Sequence, residues 1–191
     1  MQPRRLILAL GTRLLGATLG LAAAVPPLAA VLRRRTSRAL AAGDCLFLCH
    51  GNLNRSAFAA ALARQLHPDW RIGEAGTQAS SGAVSSQLAV AAATRWDVDL
   101  GAHHATRLDA QLACEFPAII AFDARNLIEL ALSHPRTLRR AHLLGWLAQQ
   151  GAPTIADPHG GPAASYERAF AAIASALHSE SSPPRESAPT R

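Results

Sequence analysis

The apolar run Leu46-Phe47-Leu48-Cys49 leads directly into His50-Gly51-Asn52-Leu53-Asn54-Arg55-Ser56 and then into alanine-rich sequence. This reads as a short buried strand, a tight loop and the first turn of a helix, and it restricts the fold more than any other stretch. Strand-to-helix loops of this kind line the ligand-binding edge of open α/β sheets, beyond the carboxyl ends of the strands. Here the loop also carries a thiol and, six residues later, a guanidinium. At that spacing the two groups can face one tetrahedral oxyanion from opposite sides.

The chain after Cys45 continues the alternation. Strands are expected at Cys45–Leu48, Arg71–Ala75, Ala118–Phe122 and, less regularly, around Ala141–Leu144. Helices are expected at Ser56–Leu66, Gln87–Trp96 with Ser85 as cap, Thr106–Leu112, Asn126–Leu132 and Ala164–Leu177. In the last of these, Tyr166, Phe170, Ile173 and Leu177 recur at spacings of four, three and four, one apolar face of a helix. Short apolar strands alternating with helices predict an α/β three-layer sandwich: a four-stranded parallel sheet with helices on both faces. The phosphate-loop domain covers residues 44–178, and the Ser/Pro-rich residues 179–191 read as a disordered tail.

The net charge of +6 suggests nucleic acid until it is located. Residues 1–44 hold seven arginines and one acid, whereas residues 45–191 hold twelve of each. The charge therefore belongs to the N-terminal arm, without the interleaved aromatics of a nucleic-acid surface, and nucleic acid is not an expected partner. The three cysteines, Cys45, Cys49 and Cys114, form neither a disulfide framework nor a zinc pattern, which indicates reduced thiols in the cytoplasm and no metal.

Residues 1–43 form a basic, apolar arm. From Leu14 to Leu32 the sequence is uncharged, interrupted by Pro26-Pro27 and followed by Arg33-Arg34-Arg35. A membrane span, an interfacial anchor and a signal peptide compete as readings, beside a disordered arm with no membrane role. Secretion is disfavoured because a reactive thiol works best where thiols stay reduced. A membrane surface, the inner face of a cytoplasmic membrane, is the partner expected of the arm.

The chemistry of the loop follows from its residue types. A cysteine attacks as thiolate. The free N–H groups and dipole of a helix start favour an anion, and Gly51 lets the backbone turn its amides inward. Arg55 offers a planar fork suited to phosphate oxygens. Ser56 can donate to the sulfur, and the Asn52 amide can hold the loop. Far along the chain, Asp157 in Ala156-Asp157-Pro158-His159-Gly160-Gly161-Pro162 is a candidate general acid, stiffened by Pro158.

Cys49-His50-Gly51-Asn52-Leu53-Asn54-Arg55-Ser56 resembles the Cys-x-Gly-Asn-x-x-Arg-Ser loop of low-molecular-weight protein tyrosine phosphatases. Ala75-Gly76-Thr77, Asp99-Leu100 with His103 or His104, Ile119-Ile120-Ala121-Phe122-Asp123 and Asp157-Pro158 follow in the order that family shows. The resemblance implies a phosphorylated protein as substrate, phosphotyrosine by default, and no cofactor. It implies a phospho-cysteine on Cys49, phosphate held by residues 50–56 (His50, Gly51, Asn52, Leu53, Asn54, Arg55 and Ser56) and Asp157 as acid. His103 or His104 is expected to be a packed, hydrogen-bonded residue.

Three positions depart from the family pattern. Asn54 stands where members often carry a second, protective cysteine. His159 follows the Asp-Pro where an aromatic usually walls the substrate, and Ser80 replaces a large apolar side chain at the mouth. Two other functions are weighed: a phosphate-loop module that binds without turnover, and arsenate reduction. The latter needs two further cysteines as a relay, and Cys114 has no nearby partner in sequence.

Overall fold

The computed structural model describes residues 2–148 and 152–181. The sheet has four parallel strands: β1 (Asp44–Cys49), β2 (Arg71–Gly76), β3 (Ala118–Ala121) and β4 (Ala141–Leu143), in the order β2-β1-β3-β4. β1 is central, pairing Leu48 with Ala75 on one side and with Ala121 on the other. The chain winds one way from β1 to β2 and the other way to β3, so a crevice opens beyond the carboxyl ends of β1 and β3. Cys49 is the last residue of β1.

The continuous apolar run of β1 serves two cores because alternate side chains face opposite ways. Cys45, Phe47 and Cys49 join the larger core, under helices α3 (Arg55–Leu66), α4 (Gln87–Ala93) and α7 (Ala163–Ser181). Phe58 of α3 stacks on Phe170 of α7, with ring centroids 4.1 Å apart. Leu46 and Leu48 join the second core, with Phe116, Ile119 and Leu130, on the side of α5 (Ala110–Glu115) and α6 (Ala124–Ser133). The expected three-layer architecture is the one observed.

Local boundaries differ where side-chain caps decide them. Ser86, not Ser85, caps α4, accepting a hydrogen bond from the Ala89 amide at 3.2 Å. The expected helix over Thr106–Leu112 starts later, at Ala110, where Asp109 accepts from the Leu112 amide. The preceding residues run extended instead: the Gly76 amide donates to the Thr106 carbonyl and the Leu108 amide to the Gly76 carbonyl. The closing helix runs on through Ser181; the rest of the tail, residues 182–191, lies outside the described residues.

Residues 2–41 form two helices, α1 (Gln2–Ala23) and α2 (Pro26–Ala41). Pro26 and Pro27 end the first and start the second, where a missing N–H costs nothing. α1 packs on α6, with Ile128 against Gly11. α2 reaches the sheet: Thr36 and Leu40 are buried, and Leu40 belongs to the larger core.

Candidate active site

The loop from Cys49 to Ser56 owes its shape to Asn52, whose φ of 51° is left-handed, a conformation asparagine tolerates. Its side chain ties the loop at two points. Nδ2 donates to Ser56 Oγ at 2.9 Å, and Oδ1 accepts from the Thr106 amide at 2.7 Å. The Asn52 carbonyl is 2.7 Å from His103 Nε2, so His103 is a supporting hydrogen-bonded residue, as expected. Gly76 lies beneath the loop, where a Cβ would come within 2.7 Å of the Asn52 nitrogen and the His50 carbonyl oxygen. The amides of Thr77 and Gln78 extend the β1–β2 pairing past the strands by donating to the carbonyls of Cys49 and His50.

Cys49 Sγ is 3.2 Å from the Asn52 amide, which donates to it, and 3.0 Å from Ser56 Oγ. When the sulfur is a thiolate and can only accept, the Ser56 hydroxyl donates to it while accepting from Asn52. For the thiolate, Asn52 and Ser56 thus form a short donor chain that ends on Cys49, just before the start of α3. Cys45, four residues earlier in the same strand, has no such surroundings: burial, with the neighbouring Asp44 charge, pushes its thiol up to about 12. It is a core residue, and all three cysteines are unpaired thiols.

Arg55 is 1% exposed. Its Nη1 donates to Asp123 Oδ2 at 2.5 Å and to the Ile155 carbonyl at 2.9 Å. Nη2 stands 3.0 Å from Asp157 Oδ2 as an ion pair, but out of line for a hydrogen bond. Among the described residues Nε and Nη2 therefore have no acceptor: two buried N–H groups on one edge of the guanidinium. That edge is the bidentate fork that an oxyanion takes. Burial works against the charge, but Asp123, Asp157 and Cys49 outweigh it and raise Arg55 further, so it stays cationic.

Cys49 and Asp157 line a cavity of about 440 Å³, together with Leu53, Asn54 and, at its rim, Ser80 and His159. A hollow of about 470 Å³ between α4 and α7 carries an arginine–glutamate pair but no nucleophile. Asp157, predicted from a distant loop, is brought to Arg55; its Oδ1 accepts from the His159 amide at 3.3 Å, which shapes the loop. His50 contributes its backbone to the phosphate loop, but its ring turns aside. Nδ1 lies 2.8 Å from Glu129 Oε1, and Nε2 lies 3.0 Å from an Arg125 nitrogen. Thr77 Oγ1 also donates to Glu129.

Asp123, Glu129, Arg125 and Thr77 were not assigned roles from the sequence. Asp123 had a legible signal: it ends the clearest strand, beside β1, at the carboxyl edge where ligands bind. Burial alone would raise the Glu129 carboxyl, but hydrogen bonds from His50, Thr77 and Arg125 and the His50 charge outweigh it, and the net direction is down. A depressed folded-state carboxylate contributes stability at pH above its unfolded value and loses it as pH falls through the folded one. Glu129→Gln should therefore destabilise the protein at neutral pH and flatten the acid side of its stability profile, read from thermal midpoints between pH 3 and 7. Parallel profiles for the two proteins would contradict this.

A nucleophilic thiol supplied with donors, facing a buried arginine fork across a Cys-x5-Arg loop, defines a cysteine-dependent phosphatase. The profile of the low molecular weight phosphotyrosine protein phosphatases matches residues 44–180, and the chain belongs to that family. It is 30% identical over 128 residues to a probable low molecular weight protein-tyrosine-phosphatase, EpsP, of Ralstonia nicotianae, covering 67% of this chain and 86% of that one. Among solved structures it resembles the Erwinia amylovora tyrosine phosphatase AmsI, with a TM-score of 0.66 and 24% identity over 71% of this chain and 88% of that one. It resembles Vibrio vulnificus Wzb in complex with benzylphosphonate equally, at 0.66 and 22% over 72% and 95%. The chain is accordingly a cysteine-based phosphatase of phosphorylated proteins.

Proposed function

We propose that Cys49 attacks the phosphorus of a phosphotyrosine side chain bound in the loop, with Asp157 as proton donor. Sulfur–phosphorus bond formation accompanies cleavage of the ester P–O bond, and the Asp157 proton passes to the leaving phenoxide. Asp157 then takes a proton from water, whose oxygen displaces Cys49 and releases phosphate. Arg55 and the amides of residues 50–56 hold the equatorial oxygens throughout, stabilising charge where it develops. The observation that carries this reading is the edge of Arg55: two buried N–H groups with no acceptor among the described residues, beside Asp157, which lines the same cavity as Cys49.

Asp157→Asn separates the roles. An acid is needed most when the leaving group is poor. The variant should lose about a hundredfold to a thousandfold in rate on phenyl phosphate and much less on a nitrophenyl ester. Equal losses on both would remove Asp157 as the acid.

Ser80 and His159 form the rim where the family pattern has larger apolar and aromatic groups. The pocket thus holds a ring with Leu53 and Ala83 as its apolar surfaces, and rates on phosphotyrosine, phosphoserine and phosphoarginine peptides report how far that narrows the substrate. The protein works in the cytoplasm, where its thiols stay reduced, and residues 1–43 associate it with the inner face of the membrane.

A further inference from the structure

We propose that α1 and α2 form a monotopic docking face that lies flat on an anionic bilayer, and that α1 does not cross it. The inference rests on the membrane association stated above and assigns its mode. Leu6–Ala23 has the length and apolarity to span a bilayer, so composition alone leaves spanning open.

The packing decides against it. A span surrounds its whole circumference with lipid, whereas the inner flank of α1 is already occupied by protein. Ile128 of α6 packs so closely on Gly11 that a Cβ there would come within 3.2 Å of it, and Leu19, Ala22 and Ala23 pack against Ala121, Leu143 and Trp146 on the β4 side of the sheet. α6 in turn carries Glu129, which holds the phosphate loop through His50. A docked α1 cannot enter the hydrocarbon core without drawing the catalytic domain after it.

The outer flank of the same helix is bare. Leu6, Leu10, Leu14 and Leu21 follow a spacing of four, four and seven on one side and are 57–70% exposed. Leu28 and Val31 of α2 are exposed too. Uncovered leucines in this number mark a binding face.

The charges identify the occupant. Arg13 is exposed on α1, and Arg34, Arg35 and Arg38 are exposed on α2. Among the described residues none of them has a carboxylate partner, and residues 1–43 contain no acid. An apolar stripe flanked by unpaired arginines complements an anionic interface: leucines enter the acyl boundary and guanidinium groups meet headgroups. A second copy of the same face would bring like charges together.

The test is cosedimentation of the full chain with sucrose-loaded vesicles of phosphatidylcholine, with or without about one third phosphatidylglycerol. The protein is expected to pellet with the anionic vesicles, several-fold less with neutral ones, and to be stripped by alkaline carbonate. Replacing Arg34 and Arg38 together by serine should weaken partitioning about fivefold per arginine, at about 1 kcal/mol each. Leu10→Glu with Leu14→Glu should abolish it. Both pairs should leave nitrophenyl phosphate hydrolysis unchanged, because none of these residues lies at the cavity. Resistance to carbonate would overturn the proposal in favour of a span. Equal binding to neutral vesicles would overturn the electrostatic complement. Failure to pellet, with dimers that the Leu10/Leu14 variant breaks, would assign the face to a second copy. Vesicle binding without phosphate ester hydrolysis would instead count against the catalytic reading and leave the docking face standing.

Discussion

Cys49→Ser is expected to lower hydrolysis of nitrophenyl phosphate by about four to six orders of magnitude, the scale on which loss of a catalytic nucleophile is felt. The hydroxyl does not ionise appreciably near neutral pH and is a far poorer nucleophile. The rest of the site should survive. The Asn52 amide and Ser56 hydroxyl have an oxygen to donate to in place of sulfur, and the Arg55 edge is untouched. Inorganic phosphate should therefore bind to the variant, measured by calorimetry, with affinity close to that of the parent protein. Loss of both rate and phosphate affinity would mean that the thiol organises the loop, and an unchanged rate would remove Cys49 as nucleophile.

Arg55→Lys should cost about a hundredfold to a thousandfold in kcat/KM, the scale of losing an oriented oxyanion donor. The charge is conserved, so a small loss would show that only charge is needed. A large one is expected because an ammonium cannot offer two parallel N–H groups and also satisfy Asp123 and the Ile155 carbonyl. Those two contacts also join β3 and the acid-bearing loop to the phosphate loop. The variant should therefore melt at a lower temperature as well. Kinetics measured well below that midpoint separate catalytic loss from unfolding.

The loop after β1 was legible because it is contiguous: Cys49, Gly51, Asn52, Arg55 and Ser56 lie within eight residues of chain. The place of Asp157 at the cavity was legible through its proline- and glycine-rich setting and the order of segments the family shows. What the sequence did not reveal depends on packing order. Asp123 becomes Arg55's partner only once β3 lies beside β1, and Glu129 reaches His50 from seventy-nine residues away. The start of α5 was missed because Asp109 caps more effectively than the threonine upstream, while Thr106 is drawn to Asn52. The two flanks of α1 could not be told apart by hydropathy, since both are apolar and only contact with α6 and the β4 side of the sheet distinguishes them.

Leu40 gives the domain an edge that homology does not. The family match begins at residue 44, yet Leu40 is fully buried in the same core as Phe47 and Phe170. A fragment cut to the matched boundary would open a leucine-sized void beneath the sheet, a loss on the order of 2–5 kcal/mol and a large part of the stability of a small domain. The catalytic unit and the cooperative folding unit of this protein therefore have different beginnings. The helix that supplies most of the arginines of the docking face also plugs the enzyme.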